Sequence, residues 1–193
     1  NNMGIVFKKL GQLKDAVKSY QNSLHINPNF AEAQNNLGNA LKDLDQLDGA
    51  VKHFKNVLLI KPDFVETNIN LGMTLGELGK FEEAELSFNK AIELKPDDAD
   101  AYNGLGMIHN EFGRTQEAIK CLKKAINLKP EYAVAYTNLC AIHYENKDFD
   151  SALEIINQAH TLNQKSKSIS LLFAVLHARK KNNKKSFIDK KNL

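Results

Sequence analysis

The four prolines of this chain stand at one fixed spacing. They are Pro28, Pro62, Pro96 and Pro130, so each follows the previous one by 34 residues. The surrounding segments are also similar: INPNF, IKPDF, LKPDD and LKPEY. A constant period of roughly 20 to 50 residues is typical of repeat arrays, in which one unit cannot bury its own apolar face. The chain should therefore fold as an array rather than around a single globular core.

Three further columns recur in register with the prolines. A Leu-Gly pair is found at 37–38, 71–72 and 105–106, with Met-Gly at 3–4 and Leu-Cys at 139–140 as variants. An alanine follows at a fixed distance, and a large apolar residue comes four positions after it. The alanines are Ala16, Ala50, Ala84, Ala118 and Ala152, and the large residues are Tyr20, Phe54, Phe88, Leu122 and Ile156. Together with the prolines, these columns resemble the tetratricopeptide repeat (TPR), whose unit is a helix, a turn and a second helix.

The resemblance covers about residues 1–163 and implies an all-α, right-handed superhelical solenoid of about five helix-turn-helix units plus a C-terminal helix. We expect the array over 1–164, with repeats ending near 30, 64, 98, 132 and 164. A terminal helix should follow over 165–181, and a basic tail over 182–193 is either a truncated repeat or disordered. First helices are predicted near 31–44, 65–78, 99–112 and 133–146, and second helices near 48–61, 82–95, 116–129 and 150–163.

Local signals support these boundaries. Proline ends each second helix because it cannot donate the helical hydrogen bond. Glycines between the two helices of a unit suit the left-handed conformation that ends a helix; they are Gly11, Gly79 and Gly113. The polar residues directly after the prolines are candidate N-caps of the next helix; they are Asn29, Asp63 and Asp97.

Composition narrows the class of protein. No apolar run approaches the roughly 18 residues that a bilayer-spanning helix needs. The net charge of +3 comes from residues 179–193, which hold seven Lys or Arg against one Asp, so the rest of the chain is mildly acidic and no nucleic-acid partner is expected. Cys121 and Cys140 are too few for a disulfide framework. We expect reduced thiols in an intracellular protein, with the cytoplasm favoured, and an incomplete N-terminus because the chain lacks an initiating Met.

In a TPR array the first helices line the concave groove, and an asparagine column lies on that face. The column comprises Asn2, Asn36, Asn70 and Asn138, with Asn39 on the same face and Asn103 beside the break at Gly104. An amide offers two donors and an acceptor, so the column could bind the backbone of an extended peptide. It resembles the asparagine ladder of O-linked N-acetylglucosamine transferases. The alternative is that these amides bond within the scaffold or to water.

Acidic residues accompany the asparagines on the same face. They are Glu32, Asp43, Glu66, Glu77, Asp100, Glu111 and Glu145, against Lys8, Lys9 and Lys42. This balance favours a neutral or basic peptide, unless the acids form only a solvated face. The carboxylate clamp of some family members needs Lys and Asn four residues apart, and the equivalent pairs here lack the Lys. Those pairs are Asn35/Asn39, Ile69/Met73 and Asn103/Met107, so we predict no chaperone-tail clamp.

Two other groups of residues raise the question of a site. His109, His143 and His177 recur at the repeat interval, but neighbouring repeats would hold that column roughly 10 Å apart, whereas zinc ligands lie about 2 Å from the metal. We interpret them as buried, hydrogen-bonded core residues and expect neither metal nor cofactor.

The predicted terminal helix presents an apolar shelf where earlier repeats are polar. The shelf comprises Leu171, Leu172 and Val175. Phe187 and Ile188 of the tail, a second copy of the chain or a following domain could cover it.

The sequence contains no nucleophile-base pair, phosphate-binding glycine loop or metal-ligand spacing, and so we do not expect this segment to be an enzyme. The favoured function is a non-catalytic protein-protein interaction scaffold that binds an extended peptide or a partner surface in the Asn-lined groove. Two alternatives stay open. One is the substrate-recognition arm of a larger glycosyltransferase-like enzyme, and the other is a self-assembly module, such as a homodimer formed through the C-terminal helix.

Overall fold

The structure, a computed structural model, describes the backbone of residues 1–162 and 166–191 and the side chains of residues 1–162 and 166–180. Within that part of the chain all regular secondary structure is α-helical. The helices are α1 (Asn2–Lys9), α2 (Leu13–Ile26), α3 (Ala31–Asp43), α4 (Leu47–Ile60), α5 (Val65–Glu77), α6 (Phe81–Leu94), α7 (Ala99–Glu111), α8 (Thr115–Leu128), α9 (Ala133–Glu145), α10 (Phe149–Leu162) and α11 (Lys167–Lys191). None of the described helices is both long enough and apolar enough to cross a bilayer.

The helices stack in chain order. Each odd-numbered first helix packs on the even-numbered second helix that follows it, and each second helix packs on the next first helix. The first helices also contact one another, α3 with α5, α5 with α7, α7 with α9 and α9 with α11. The predicted all-α solenoid is therefore confirmed, and the predicted boundaries of α3 to α10 agree with the structure to within one residue. Helix α11 is longer than the predicted terminal helix, because it continues through most of the basic tail.

The Leu-Gly column is the contact point within each unit. A Cβ added at Gly38 would lie 2.6 Å from the Phe54 ring, because the ring of the second helix packs directly on the glycine of the first. The fourth unit uses a smaller residue, and a Cβ at Gly106 would lie 3.0 Å from Cγ of Leu122. The spacing in the sequence thus encodes a packing pair. The large apolar residue of one helix fills the space left by the missing side chain of the other.

The turn inside each unit has the same left-handed backbone whether or not it contains glycine. The predicted glycines have φ values of +74°, +72° and +69°, and they are Gly11, Gly79 and Gly113. Asp45 (φ 59°) and Lys147 (φ 62°) occupy the same position in the second and fifth units. A side chain in this region costs about 1–2 kcal/mol relative to glycine. The repeat geometry therefore imposes strain on two of the five turns.

The N-cap prediction was wrong. Helices α3, α5 and α7 begin one residue later than it required, so that Asn29, Asp63 and Asp97 lie outside the cap position. The caps of the first helices α3 to α9 are instead Phe30, Phe64, Asp98 and Tyr132. Among these four, only Asp98 caps with its side chain, its Oδ1 accepting from the backbone N–H groups of Asp100 (3.1 Å) and Ala101 (3.2 Å).

Candidate functional site

We call the surface shared by the neighbouring first helices α1, α3, α5, α7, α9 and α11 the groove. The asparagine column lies along it, and two of its members bond to the preceding unit. Asn36 Nδ2 donates to Asn1 Oδ1 at 3.0 Å, and Asn138 Nδ2 donates to Asn103 Oδ1 at 3.0 Å. These equivalent bonds join α1 with α3 and α7 with α9. Each amide keeps further hydrogen-bonding capacity, since an Asn side chain has two donor hydrogens and two acceptor lone pairs.

The α3/α5 junction does not repeat this pair. Asn35 Nδ2 donates to Glu66 Oε1 at 3.2 Å, and Asn35 Oδ1 accepts from Thr67 Oγ1 at 2.9 Å. Asn35 therefore does not form the amide pair with Asn70, whose Nδ2 is buried and makes no hydrogen bond. A buried donor without a partner costs about 1–3 kcal/mol. Asn70 Nδ2 is thus a buried donor that the described residues leave without an acceptor.

The α5/α7 junction contains no amide pair at all. Its residues at the equivalent positions are Ile69 and Gly104. A Cβ at Gly104 would overlap the ring of Phe88, which also touches Gly72 with three ring atoms at 3.0 Å from a Cβ built there. The break in the asparagine column thus has a packing cause. The Phe88 ring occupies the space that the side chain at position 104 would need.

Two adjoining cavities open at this junction, with volumes of about 620 Å³ and 320 Å³. They share Met73, Asn103 and Gly104. The larger cavity is lined by Asp63, Phe64, Val65, Glu66, Ile69, Asn70, Met73, Lys95, Asp98, Asp100, Asn103, Gly104 and Tyr132. The smaller is lined by Gly72, Met73, Gly76, Glu77, Phe81, Phe88, Asn103, Gly104, Met107, Ile108 and Glu111. The structure thus brings several of the expected groove residues to one place; they are Glu66, Asn70, Glu77, Asp100, Asn103 and Glu111.

Four acidic groove residues recur at one position of successive units: Asp43, Glu77, Glu111 and Glu145. The first two are paired with lysines, and the last two are not paired within the described part of the chain. Lys8 Nζ lies 3.1 Å from Asp43 Oδ2, and Lys42 Nζ lies 3.4 Å from Glu77 Oε1. In each pair the lysine comes from the preceding unit. The same position in the next two units is Gly76 and Asn110. Over the described residues, the carboxylates that would follow, Glu111 and Glu145, form no ion pair.

The far wall of the larger cavity is also acidic. Lys95 Nζ lies 3.0 Å from Asp98 Oδ2. The hydrogen bond to Asp98 and the charge of its carboxylate raise the pKa of Lys95. The pKa of Tyr132 is raised, first by burial and then by a hydrogen bond to Asp100. Tyr132 therefore stays a neutral phenol in the ordinary pH range. Its hydroxyl and the two carboxylates make this wall a hydrogen-bond-accepting surface.

Several expected groove residues lie apart from the two cavities: Asn36, Asn138, Asp43 and Glu145, described above, and also Asn2, Glu32 and Asn39. Asn2 and Glu32 are exposed, and Asn39 is half-buried. No hydrogen bond of their side chains is present within the described part of the chain. Conversely, Met73, Met107 and Phe88 line the smaller cavity, which the sequence did not predict. The available signal was Ile69, an apolar residue in a column that is otherwise polar, directly before the break at Gly104.

The histidine column is less uniform than predicted. His143 Nδ1 lies 3.0 Å from Asp148 Oδ2, and His177 Nε2 lies 2.8 Å from Asn157 Oδ1, but His177 is exposed rather than buried. His109 Nδ1 is buried and makes no hydrogen bond. The imidazoles of His109 and His143 are half-buried. The described residues contain no group of three or more His, Cys, Asp or Glu that could hold a metal.

The two cysteines are free thiols. Cys140 stands in the glycine column, is buried, and its Sγ donates to the carbonyl of Ala152 at 3.4 Å. Burial raises the pKa of this thiol to about 11, and burial likewise raises the pKa of Cys121. Both thiols therefore stay protonated near neutral pH, which does not favour nucleophilic chemistry.

The predicted apolar shelf on α11 is only partly exposed. Leu171 is 68% exposed and Val175 is 53% exposed. Leu172 packs against the core together with Phe173, and the Phe173 ring stacks on His160 at 4.3 Å between ring centroids. The side chains of Phe187 and Ile188, which we considered as a cover, lie outside the described residues.

A stacked array of helical hairpins, with a small residue of the first helix aligned with a large apolar residue of the second, defines the class of TPR-like solenoids. Comparison with known families agrees. One TPR repeat model matches residues 4–45, and three tetratricopeptide repeat models match residues 30–61, 63–131 and 109–176. The chain belongs to the tetratricopeptide-repeat family. No curated protein sequence matches it significantly.

Solved structures share the fold at low sequence identity. TTC0263, a thermophilic TPR protein of Thermus thermophilus, superposes with a TM-score of 0.79 at 19% identity and covers 92% of this chain and 96% of its own. MamA from Desulfovibrio magneticus RS-1 gives 0.75 at 22% identity, over 86% and 94% of the two chains. YrrB, described as a TPR protein with an unusual peptide-binding site, gives 0.67 at 22% identity, over 93% and 89%. At these identities the likeness concerns the fold alone.

Proposed function

We propose that the chain is a non-catalytic interaction module that binds an extended peptide segment of a partner protein in the groove. The observation that carries this proposal is Asn70, which lines the 620 Å³ cavity and whose buried Nδ2 makes no hydrogen bond. A peptide carbonyl in that cavity would complete the hydrogen bonding of this donor. Asn103 lines the same cavity, and its Nδ2 is a second donor, since its Oδ1 is used by Asn138.

The class of protein supports this proposal. TPR proteins commonly mediate contacts between proteins, and the fold neighbour YrrB is described as having a peptide-binding site. The groove charges favour a neutral or basic peptide, because Asp98, Asp100 and Glu66 all line the larger cavity. Lys95 is the one cation in that lining, and it is paired with Asp98.

The test begins with selection of binders from a displayed library of random peptides on the immobilised chain. An enriched peptide is then labelled, and its Kd is measured by fluorescence anisotropy. Asn70→Ala should raise the Kd about fivefold, which corresponds to one lost hydrogen bond of about 1 kcal/mol. The stability of the chain should not fall, because the substitution removes a donor that lacks a partner.

The matched control is Asn89→Ala on α6, an exposed asparagine outside the groove. Its Kd should equal that of the unaltered chain. Failure to enrich any peptide, or enriched peptides whose Kd responds equally to Asn70→Ala and Asn89→Ala, would refute the proposal.

Self-association through α11 is a second candidate function. It is favoured by the exposure of Leu171 and Val175 on neighbouring turns of that helix. Light scattering over a wide concentration range should then show a mass that rises with concentration and that Leu171→Asp returns to the monomer value. A monomeric mass of the unaltered chain at every concentration would eliminate this candidate.

A further inference from the structure

We infer that the 320 Å³ cavity takes one bulky apolar side chain of the bound peptide, and that a lysine or arginine next to that side chain pairs with Glu111. The inference rests on the proposed function, because it assumes that a peptide lies in the groove. It adds the chemical class of the recognised segment and its position along the array.

The cavity has an apolar interior. Phe81 and Phe88 contribute aromatic rings from α6, while Met73 and Met107 contribute side chains from the two first helices. Methionine is unbranched and polarisable, so it adapts its shape to different apolar partners. Met73 is 44% exposed, which leaves apolar surface in contact with water until a ligand covers it. The lining therefore suits a Leu, Ile, Met or Phe side chain better than a polar one.

The cavity lies at the break in the asparagine column, where Gly104 is one of its lining residues. At the α1/α3 and α7/α9 junctions, an amide pair with a 3.0 Å hydrogen bond occupies the equivalent position. At the α3/α5 junction, Asn35 fills it with bonds to Glu66 and Thr67. At α5/α7 the Phe88 ring fills the space of a side chain at position 104, and Gly104 and Phe88 both line the cavity. An apolar anchor at this junction would fix the register of a peptide along an otherwise repetitive groove.

The charge at the edge of the cavity indicates what flanks the anchor. Glu77 and Glu111 both line it. Glu77 is paired with Lys42 at 3.4 Å, whereas Glu111 is exposed and has no ion pair among the described residues. Lys8 and Lys42 supply the opposite charge for Asp43 and Glu77, but the equivalent position before Glu111 is Gly76. A basic residue of the peptide would supply the charge that is missing there. The recognised segment is thus apolar with a basic neighbour.

The experiment uses the same displayed library of random peptides with four variants of the full chain. Met73→Asp and Glu111→Lys alter the cavity at exposed positions. The matched controls are Leu86→Asp and Glu82→Lys, which make the same changes at exposed positions on α6 outside the cavity. Helicity by circular dichroism is checked for all four variants, so that a folding defect is recognised.

The unaltered chain should enrich peptides that carry Leu, Ile, Met or Phe beside Lys or Arg. Met73→Asp should weaken such a peptide at least about tenfold, in line with the loss of a buried apolar side chain. Glu111→Lys should change the enriched neighbour from basic to acidic, and neither control should change affinity or preference. This change of preference is a readout that general destabilisation would not produce.

Three results would overturn the inference, and they separate its failure from that of the proposed function. Peptides that depend on Asn70 but not on Met73 or Glu111 would leave groove binding in place and remove the anchor. Peptides whose Kd changes with none of the three substitutions would refute both the apolar anchor and binding in the groove. Self-association of the chain that Met73→Asp abolishes would assign the cavity to a second copy, and this too would overturn the inference.

Discussion

The first helices are joined differently in the two halves of the groove. Between α1 and α5 a lysine-carboxylate pair crosses each junction, at 3.1 Å and 3.4 Å, and the α1/α3 junction also has an amide pair at 3.0 Å that recurs only at α7/α9 among the described residues. Between α5 and α9 the lysine column is lost, its carboxylates are unpaired within the described residues, and the α5/α7 junction contains two cavities. The backbone repeats in both halves, but the side chains in the lysine and asparagine columns differ. In this array, substitutions in the repeat columns decide which junctions of the groove are bridged by side-chain pairs and which contain cavities.

The largest expected effect comes from restoring the asparagine column at the open junction. Gly104→Asn should destabilise the chain by about 2 kcal/mol, because the new Cβ overlaps the Phe88 ring in a packed core. The next unit shows a compatible combination, since Leu122 takes the place of Phe88 there and Asn138 takes the place of Gly104. Chemical denaturation of Gly104→Asn, Phe88→Leu and the double variant measures the effect.

The double variant should cost at least about 1 kcal/mol less than the sum of the two single variants, as expected for residues in direct contact. Strict additivity would mean that the Phe88 ring and the residue at position 104 are not energetically coupled. The same double variant should also lose the smaller cavity and with it the apolar preference of the bound peptide.

A smaller effect is expected at the strained turns. Lys147→Gly should stabilise the chain by about 1 kcal/mol, because glycine adopts φ of +62° without the penalty of a side chain. Gly113→Ala, at the same position one unit earlier, is the matched reverse change and should destabilise by a similar amount. Thermal denaturation of the two variants gives the comparison, and equal signs for both would contradict it.

The smallest expected effect is on the lysine column. Asn110→Lys places a lysine one unit before Glu145, as Lys8 precedes Asp43 and Lys42 precedes Glu77. Exposed ion pairs contribute up to about 1 kcal/mol, so we expect a gain of about 0.5 kcal/mol at low salt that disappears in about 1 M salt. Asn110→Gln is the neutral control. A gain that persists at high salt would show that the new residue does not act through charge.

The sequence predicted the helices of the repeats well, because the repeat interval fixes proline, glycine and apolar columns together. The N-caps failed by one residue, because the cap depends on where the chain leaves the proline turn, and in α3 and α5 the residue at that point is Phe, which has no side-chain acceptor and is not a typical cap. The cavities could not be predicted. They depend on how the Phe88 ring is turned, which a column of large apolar residues does not specify, and on Asn35 bonding to Glu66 and Thr67 instead of to Asn70.

The position of Phe88 also bears on how the array opens. Because its ring is seated against glycines of two successive units, it strengthens the nearest-neighbour coupling between the third and fourth units. In a one-dimensional cooperative chain, strongly coupled neighbours exchange their amide hydrogens together. Helices α5 to α8 should therefore open as one unit in native-state hydrogen exchange, and Phe88→Leu should divide that unit into two.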